Sequence, residues 1–222
     1  MTPEAFSGEV AIPGTRVTLQ GSLVIPPHAT GVVAFAHGSG SSRFSPRNRF
    51  VAEILHSAGK GTLLFDLLTE AEADNRDLVF DIPLLAERLR QATTWLADER
   101  LTRHLPIGCF GASTGAAAAL VAAADAPDQI RAVVSRGGRP DLAGNRLRDV
   151  RAPTLLIVGE RDEVVLELNR AAYRQLPGVK ELVVVPDATH LFEEPGTLEE
   201  AARHAARWFR QHLGAPAGVG SA

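Results

Sequence analysis

Residues 105–124 read LPIGCFGASTGAAAALVAAA, a short apolar run, a serine between glycines, and an alanine-rich stretch. The run Leu105–Phe110 has the continuous apolar character of a strand buried on both faces. Ala116 to Ala124 suits a helix, since alanine is the strongest helix former. Between them lies Gly111-Ala112-Ser113-Thr114-Gly115, a G-x-S-x-G that occurs once in the chain. In a strand–turn–helix context this motif holds a serine on a sharp turn with its hydroxyl raised above the sheet. Glycines flank it because side chains there would collide with neighbouring backbone. Ser113 is the candidate nucleophile.

Working outward, residues 8–25 read as an antiparallel entry. Val10 and Ile12 precede the turn signal Pro13-Gly14, and Val17, Leu19, Leu23 and Ile25 then fall on odd positions, the period of a half-buried strand. Further apolar runs follow at Val32–Ala36, Thr62–Phe65, Ile130–Val134, Thr154–Val158 and Leu182–Val185. Stretches at roughly 47–58, 79–98, 114–124, 163–175 and 197–212 read as helices between them. Such alternation predicts an α/β fold: a mostly parallel central sheet with antiparallel N-terminal strands and helices on both faces. One domain over residues 1–213 is expected, with 214–222 a disordered tail rich in glycine and small residues. Residues 69–77 read as a polar loop beside the sheet's ligand-binding edge, with a solvated loop the expectation and the shaping of a pocket the alternative.

The chain of 222 residues is 45% hydrophobic and 22% charged, near globular averages. A net charge of −3 and a pI near 6.2 give no reason to expect a nucleic-acid or anionic-membrane partner. The single cysteine, Cys109, excludes an intrachain disulfide framework and a cysteine-only metal site. The first residues lack the basic and apolar regions of a secretory signal, and no run approaches the roughly 18 apolar residues of a membrane span. A cytoplasmic location is the expectation.

A serine nucleophile needs a base, and the base needs an acid to orient it. Asp162, in Gly159-Glu160-Arg161-Asp162, comes just after the run 154–158. His190, in Ala188-Thr189-His190, comes just after the run 182–185. Asp162 also suits a helix N-cap, a frequent use of aspartate before a helix such as 163–175. His37-Gly38-Ser39-Gly40-Ser41-Ser42, directly after the run 32–36, provides closely approaching backbone for an oxyanion hole. The expected donors are the amides of Ser39 and Thr114, with Gly38 and Gly40 lining the substrate. A phosphate-binding reading of this loop lacks the G-K-[ST] ending of a P-loop. Arg43, Arg136, Arg139 and Arg161 follow strands on the same edge, and arginine grips carboxylate or phosphate in a bidentate way. Arg43 and Arg136 are the candidate contacts to an anionic substrate; pairing of the rim arginines with Glu160 or Asp141 is the plainer alternative.

On these four segments the chain resembles the α/β-hydrolase superfamily, and within it the compact dienelactone-hydrolase-like members, from about residue 8 to 212. The resemblance implies a triad of Ser113, His190 and Asp162, a small-molecule acyl substrate, and neither metal nor organic cofactor. Two departures stand out. Dienelactone hydrolases proper carry cysteine as nucleophile where this chain has Ser113; Cys109 lies within the preceding strand, where it reads as a small buried hydrophobe. Residues 135–153 leave room for a short helix or loop only, so no large lid domain is expected. A hydrolase-like scaffold without turnover is the rival reading.

Overall fold

The computed structural model describes residues 5–214. Its strands are β1 (Phe6–Pro13), β2 (Thr18–Ile25), β3 (Val32–Ala36), β4 (Gly61–Phe65), β5 (Ile107–Ala112), β6 (Ile130–Arg136), β7 (Thr154–Gly159) and β8 (Lys180–Val185). They form one eight-stranded sheet in the order β1-β2-β4-β3-β5-β6-β7-β8. β1 pairs antiparallel with β2, and β2 with β4; all later pairings are parallel.

Helices α1 (Pro46–Ser57) and α7 (Thr197–His212) cover one face; α4 (Ile82–Asp98), α5 (Thr114–Asp125) and α6 (Glu163–Gln175) cover the other. This explains the unbroken apolar runs. In β3, Val33 and Phe35 pack with α1 and α7, while Val32, Ala34 and Ala36 pack beneath α4 and α5. Every side chain of such a strand meets protein, so alternation disappears.

Small residues let α5 lie close to the sheet. A Cβ on Gly115 would come 2.1 Å from the Ala36 carbonyl oxygen, and one on Gly111 would come 2.4 Å from Ala116 Cα. The glycines of the serine motif are thus fixed by contact distance.

Three segments differ from the sequence reading. β5 starts at Ile107 rather than 105, because Pro106 has no amide hydrogen for the ladder. α4 starts at Ile82 rather than 79: the Asp81 side chain accepts from the Leu84 amide at 3.0 Å and caps the helix there. The expected solvated loop at 69–77 instead folds into two single turns, α2 (Glu70–Ala73) and α3 (Arg76–Val79). Thr69 N–H donates to Glu72 Oε2 at 2.9 Å in a capping box, and Arg88 of α4 donates to Glu72 Oε1 at 3.1 Å. That ion pair ties the turns to α4, which local sequence reading could not reveal. Between β6 and β7 a 3-10 helix (Pro140–Asp149) buries Ala143 and Leu147, and no lid is inserted there. The tail expected at 214–222 falls, beyond Gly214, outside the described residues.

Phe110 and Phe35 stack across β5 and β3 with centroids 4.8 Å apart. Truncating Phe110 to alanine leaves a cavity under α1 and α7. Urea unfolding of Phe110→Ala should show a loss of about 3–5 kcal/mol.

Candidate active site

The C-terminal ends of the parallel strands carry the residues singled out above. Ser113 follows β5 at φ +50°, ψ −121°, a conformation that an L-residue adopts only when its surroundings impose it. Its amide donates to the Arg136 carbonyl at 3.3 Å, and its carbonyl accepts from the Arg139 amide at 3.0 Å. Both bonds tie the turn to the segment leaving β6.

Asp162 occupies the N-cap position of α6, but its side chain makes no capping bond. It turns to His190, whose Nδ1 lies 2.6 Å from Asp162 Oδ2. The carboxylate is largely buried and the imidazole about one-third exposed. Several contacts hold the histidine loop in place. Glu160 N–H donates to the Val185 carbonyl and Arg161 N–H to that of Ala188, both at 2.9 Å. A Cβ on Gly159 would lie 2.3 Å from the Ala188 oxygen. Glu194 Oε2 accepts from the Thr189 amide at 3.0 Å, a bond that holds the Glu194 carboxyl below its ordinary pKa.

Gly137, with φ +51°, lets this loop approach the segment that holds Ser113. A Cβ there would come 3.1 Å from the His190 oxygen and 3.7 Å from its Cε1. The preceding residue, Arg136, accepts from Ser113. The histidine loop and the serine turn thus both approach the end of β6. Among the described residues the Ser113 hydroxyl makes no hydrogen bond; such bonds often tighten only when substrate is present.

The loop His37–Ser42 presses on Ser113 from the other side: a Cβ on Gly38 would lie 3.0 Å from Ser113 Cβ. Gly40 has φ +67°, which glycine adopts without strain. The loop borders a cleft of about 670 Å³ that reaches Thr114 and has Leu19, Leu67, Leu68 and Leu85 among its apolar lining. Asp66, Glu70 and Asp74 line it too. The turns at 69–79 therefore shape the pocket. The Thr114 amide donates to no backbone carbonyl among the described residues, whereas the Ser39 amide donates to Thr114 Oγ1 at 3.0 Å.

The two candidate arginines have different surroundings. Arg43 bonds Asp66 twice, through its amide at 2.7 Å and its guanidinium, and lies 3.5 Å from Glu9. It lines the cleft as a paired residue. Its neighbours on the rim pair as well, Arg139 with Asp141 and Arg161 with Asp187 rather than with Glu160. Arg136 is only 7% exposed. Its Nε and Nη1 are buried without an acceptor among the described residues, and its guanidinium lies 5.7 Å from the Phe192 ring. Burial, with the like charge of Arg47, pushes its pKa down to about 10, so it stays a cation at neutral pH.

His37 has a role that the sequence did not suggest. Its Nε2 accepts from the Leu67 amide at 3.1 Å, so the proton sits on Nδ1, which donates to the Gly38 carbonyl at 3.0 Å. The ring braces the Gly38–Ser39 turn against the strand end after β4. Burial holds its pKa below the ordinary histidine value. The folded protein therefore binds fewer protons than the unfolded chain as pH falls below about 6.5, and stability drops in that window. His56 and His212, also lowered by burial, add to the trend. His37→Gln keeps an acceptor and a donor without a titrating ring. Denaturant unfolding at pH 7.5 and 5.5 should show a smaller loss of stability for the variant than for the unsubstituted protein.

Known proteins match this architecture along nearly the whole chain. A family model described as an alpha/beta hydrolase domain matches residues 29–212. The structure of a dienelactone hydrolase from Anabaena variabilis is 55% identical, covering 94% of this chain and 99% of its own, with a TM-score of 0.92. Est1E from Butyrivibrio proteoclasticus shares the fold at 18% identity and a TM-score of 0.79, over 93% of this chain and 99% of its own. Two Mycobacterium tuberculosis proteins, named provisionally as phosphoribosyl transferases, are each 61% identical over 214 residues. That is 96% of this chain and 48% of theirs, so the chain spans about half the length of these curated relatives. By family model, sequence and fold, the chain belongs to the α/β-hydrolase family as a dienelactone-hydrolase-like member.

Proposed function

We propose that this protein is a serine hydrolase that cleaves a small carboxyl ester, or a related acyl bond, through Ser113, His190 and Asp162. One observation carries the reading: a serine held at φ +50° at the end of β5 and a histidine bonded at 2.6 Å to a largely buried carboxylate are both brought to the Arg136–Gly137 segment that leaves β6. Ser113 Oγ attacks the ester carbonyl carbon while His190 Nε2 takes its proton. The carbonyl electron pair moves to oxygen, and Asp162 keeps Nδ1 protonated and steadies the imidazolium. Collapse of the tetrahedral species breaks the bond to the leaving alkoxide, which takes the proton back from His190. Water then repeats the sequence on the acyl-enzyme and releases the acid. No step calls for a cofactor or metal. We take residues 1–213 as one catalytic unit.

A scaffold without turnover has no use for backbone strain at Ser113, which costs on the order of 1–3 kcal/mol. The transferase name of the Mycobacterium tuberculosis relatives belongs to proteins of which about half lies beyond this alignment, and it lends no chemistry to the residues described above. The buried, lone Cys109, its thiol pushed up to about 12, takes no part and suits a reducing compartment such as the cytoplasm.

For the substrate, Arg136 favours an acid-bearing ester over a neutral one. A buried cation with two free nitrogens costs several kcal/mol, on the order of what a carboxylate would recover. Arg43, already paired with Asp66, is better read as a brace of the cleft.

Two experiments follow. A fluorophosphonate probe should label Ser113, as located by peptide mass spectrometry, and Ser113→Ala should abolish the adduct; label on another residue would overturn the triad. Asp162→Asn should lower kcat about 10⁴-fold with the fold intact. For Arg136, compare a dicarboxylic half-ester with a neutral ester of equal length. Arg136→Met should raise KM about tenfold or more for the half-ester only; equal changes for both would remove the arginine from recognition.

A further inference from the structure

An oxyanion hole built from Ser39 and Thr114 meets an obstacle: the Ser39 N–H is already engaged, donating to Thr114 Oγ1 at 3.0 Å. A hydroxyl has one hydrogen to donate and two lone pairs to accept with. Here one lone pair is occupied by the amide. Threonine in a helix commonly turns its hydroxyl back to the carbonyl four residues earlier, but Thr114 is the first residue of α5 and makes no such bond. Its hydroxyl hydrogen has no acceptor among the described residues, although the residue is only 5% exposed.

Its surroundings place that hydrogen at the reaction site. Thr114 directly follows Ser113 and lines the cleft beside His37, Gly38 and Ser39. Gly38 packs so close to Ser113 that a Cβ on it would lie only 3.0 Å from the serine Cβ. The Thr114 amide and hydroxyl therefore sit on one side chain and one peptide, immediately beside the attacking oxygen.

We propose that the Thr114 hydroxyl, rather than the Ser39 amide, is the second donor to the oxyanion, with the Ser39 N–H bonded behind it. This rests on the serine-hydrolase reading and specifies how that site holds its charge. A hydroxyl that accepts a hydrogen bond becomes a stronger donor. The chain Ser39 N–H to Thr114 O–H to oxyanion also needs no rearrangement as charge develops, the condition under which such donors are most effective. His37, through Gly38, fixes the amide that orients the hydroxyl.

The test is a pair of variants assayed on a neutral ester such as p-nitrophenyl acetate. Thr114→Val keeps the branched shape and removes the hydroxyl; Thr114→Ser keeps the hydroxyl. With the hydroxyl as donor, Thr114→Val should lose about 10²-fold in kcat at nearly constant KM. Affinity for a trifluoromethyl ketone, which mimics the tetrahedral species, should fall in parallel, and Thr114→Ser should stay within a few-fold of the unsubstituted protein. Thermal melting and fluorophosphonate labelling of Ser113 show that each variant is folded and assembled. A valine variant as active as the parent, or more so, would overturn the proposal, since a freed Ser39 amide would then be the true donor and the hydroxyl only its plug. A serine variant as poor as valine would overturn it as well. Absence of Ser113 labelling and turnover in the unsubstituted protein would remove the hydrolase reading, and this proposal with it; intact labelling and turnover with an indifferent valine variant removes this proposal alone.

Discussion

At Ser113 the backbone stands at φ +50°, ψ −121°, and the surrounding structure holds it there by close contact on every side. Gly111 and Gly115 let α5 descend onto β5 and β3 until no Cβ would fit. The segment after β6 clamps the turn with two backbone bonds, and Gly38 closes on it from the loop after β3. Strain of this kind persists only where the environment over-determines it. The geometry at Ser113 is therefore a property of three strand ends and one helix, and it depends on the parallel sheet being in register around β5.

The same constraint explains what the sequence made legible. Buried parallel strands leave continuous apolar runs, so β3 was readable to the residue and β7 to within one position of its end. The crowding at Ser113 demands glycine at fixed offsets, and that demand is visible as G-x-S-x-G. The pairing of Asp162 with His190 was readable because each lies a few residues beyond an apolar run, where a parallel sheet must deliver its loops to one edge. The ends of β5 and α4 were harder, since a missing proline amide and one aspartate side chain decide them. The turns at 69–79 were harder again. Their anchor is an ion pair to Arg88, sixteen residues away, and no local pattern announces it.

Side-chain partners are the part that the sequence withholds. Arg43 and Arg136 look alike on paper, each shortly after a strand on the same edge. One finds Asp66 on β4's exit and is neutralised; the other points to the α1–α7 face, beside Phe192 and a second cation. His37 likewise read as a residue merely near the edge. Its two ring nitrogens bridge Leu67 and Gly38, and that pattern requires the neutral tautomer. Burial, by disfavouring the charged ring, supplies the same state.

These partners give the site an electrical asymmetry. On the cleft side of Ser113 stand Asp66, Glu70 and Asp74, of which Asp66 is matched by Arg43. On the far side lies Arg136, with Arg47 close by and Glu193 3.5 Å from Arg47. A potential that falls from one side of the nucleophile to the other orients a polar substrate before any contact is made. On the proposed reading of Arg136, it sends an acidic end toward β6 and α1 and leaves the uncharged end in the leucine-lined cleft. On that same proposal the carbonyl in between meets Ser113 in one sense, which is what a small site without a lid needs if orientation is to come from the strand ends alone.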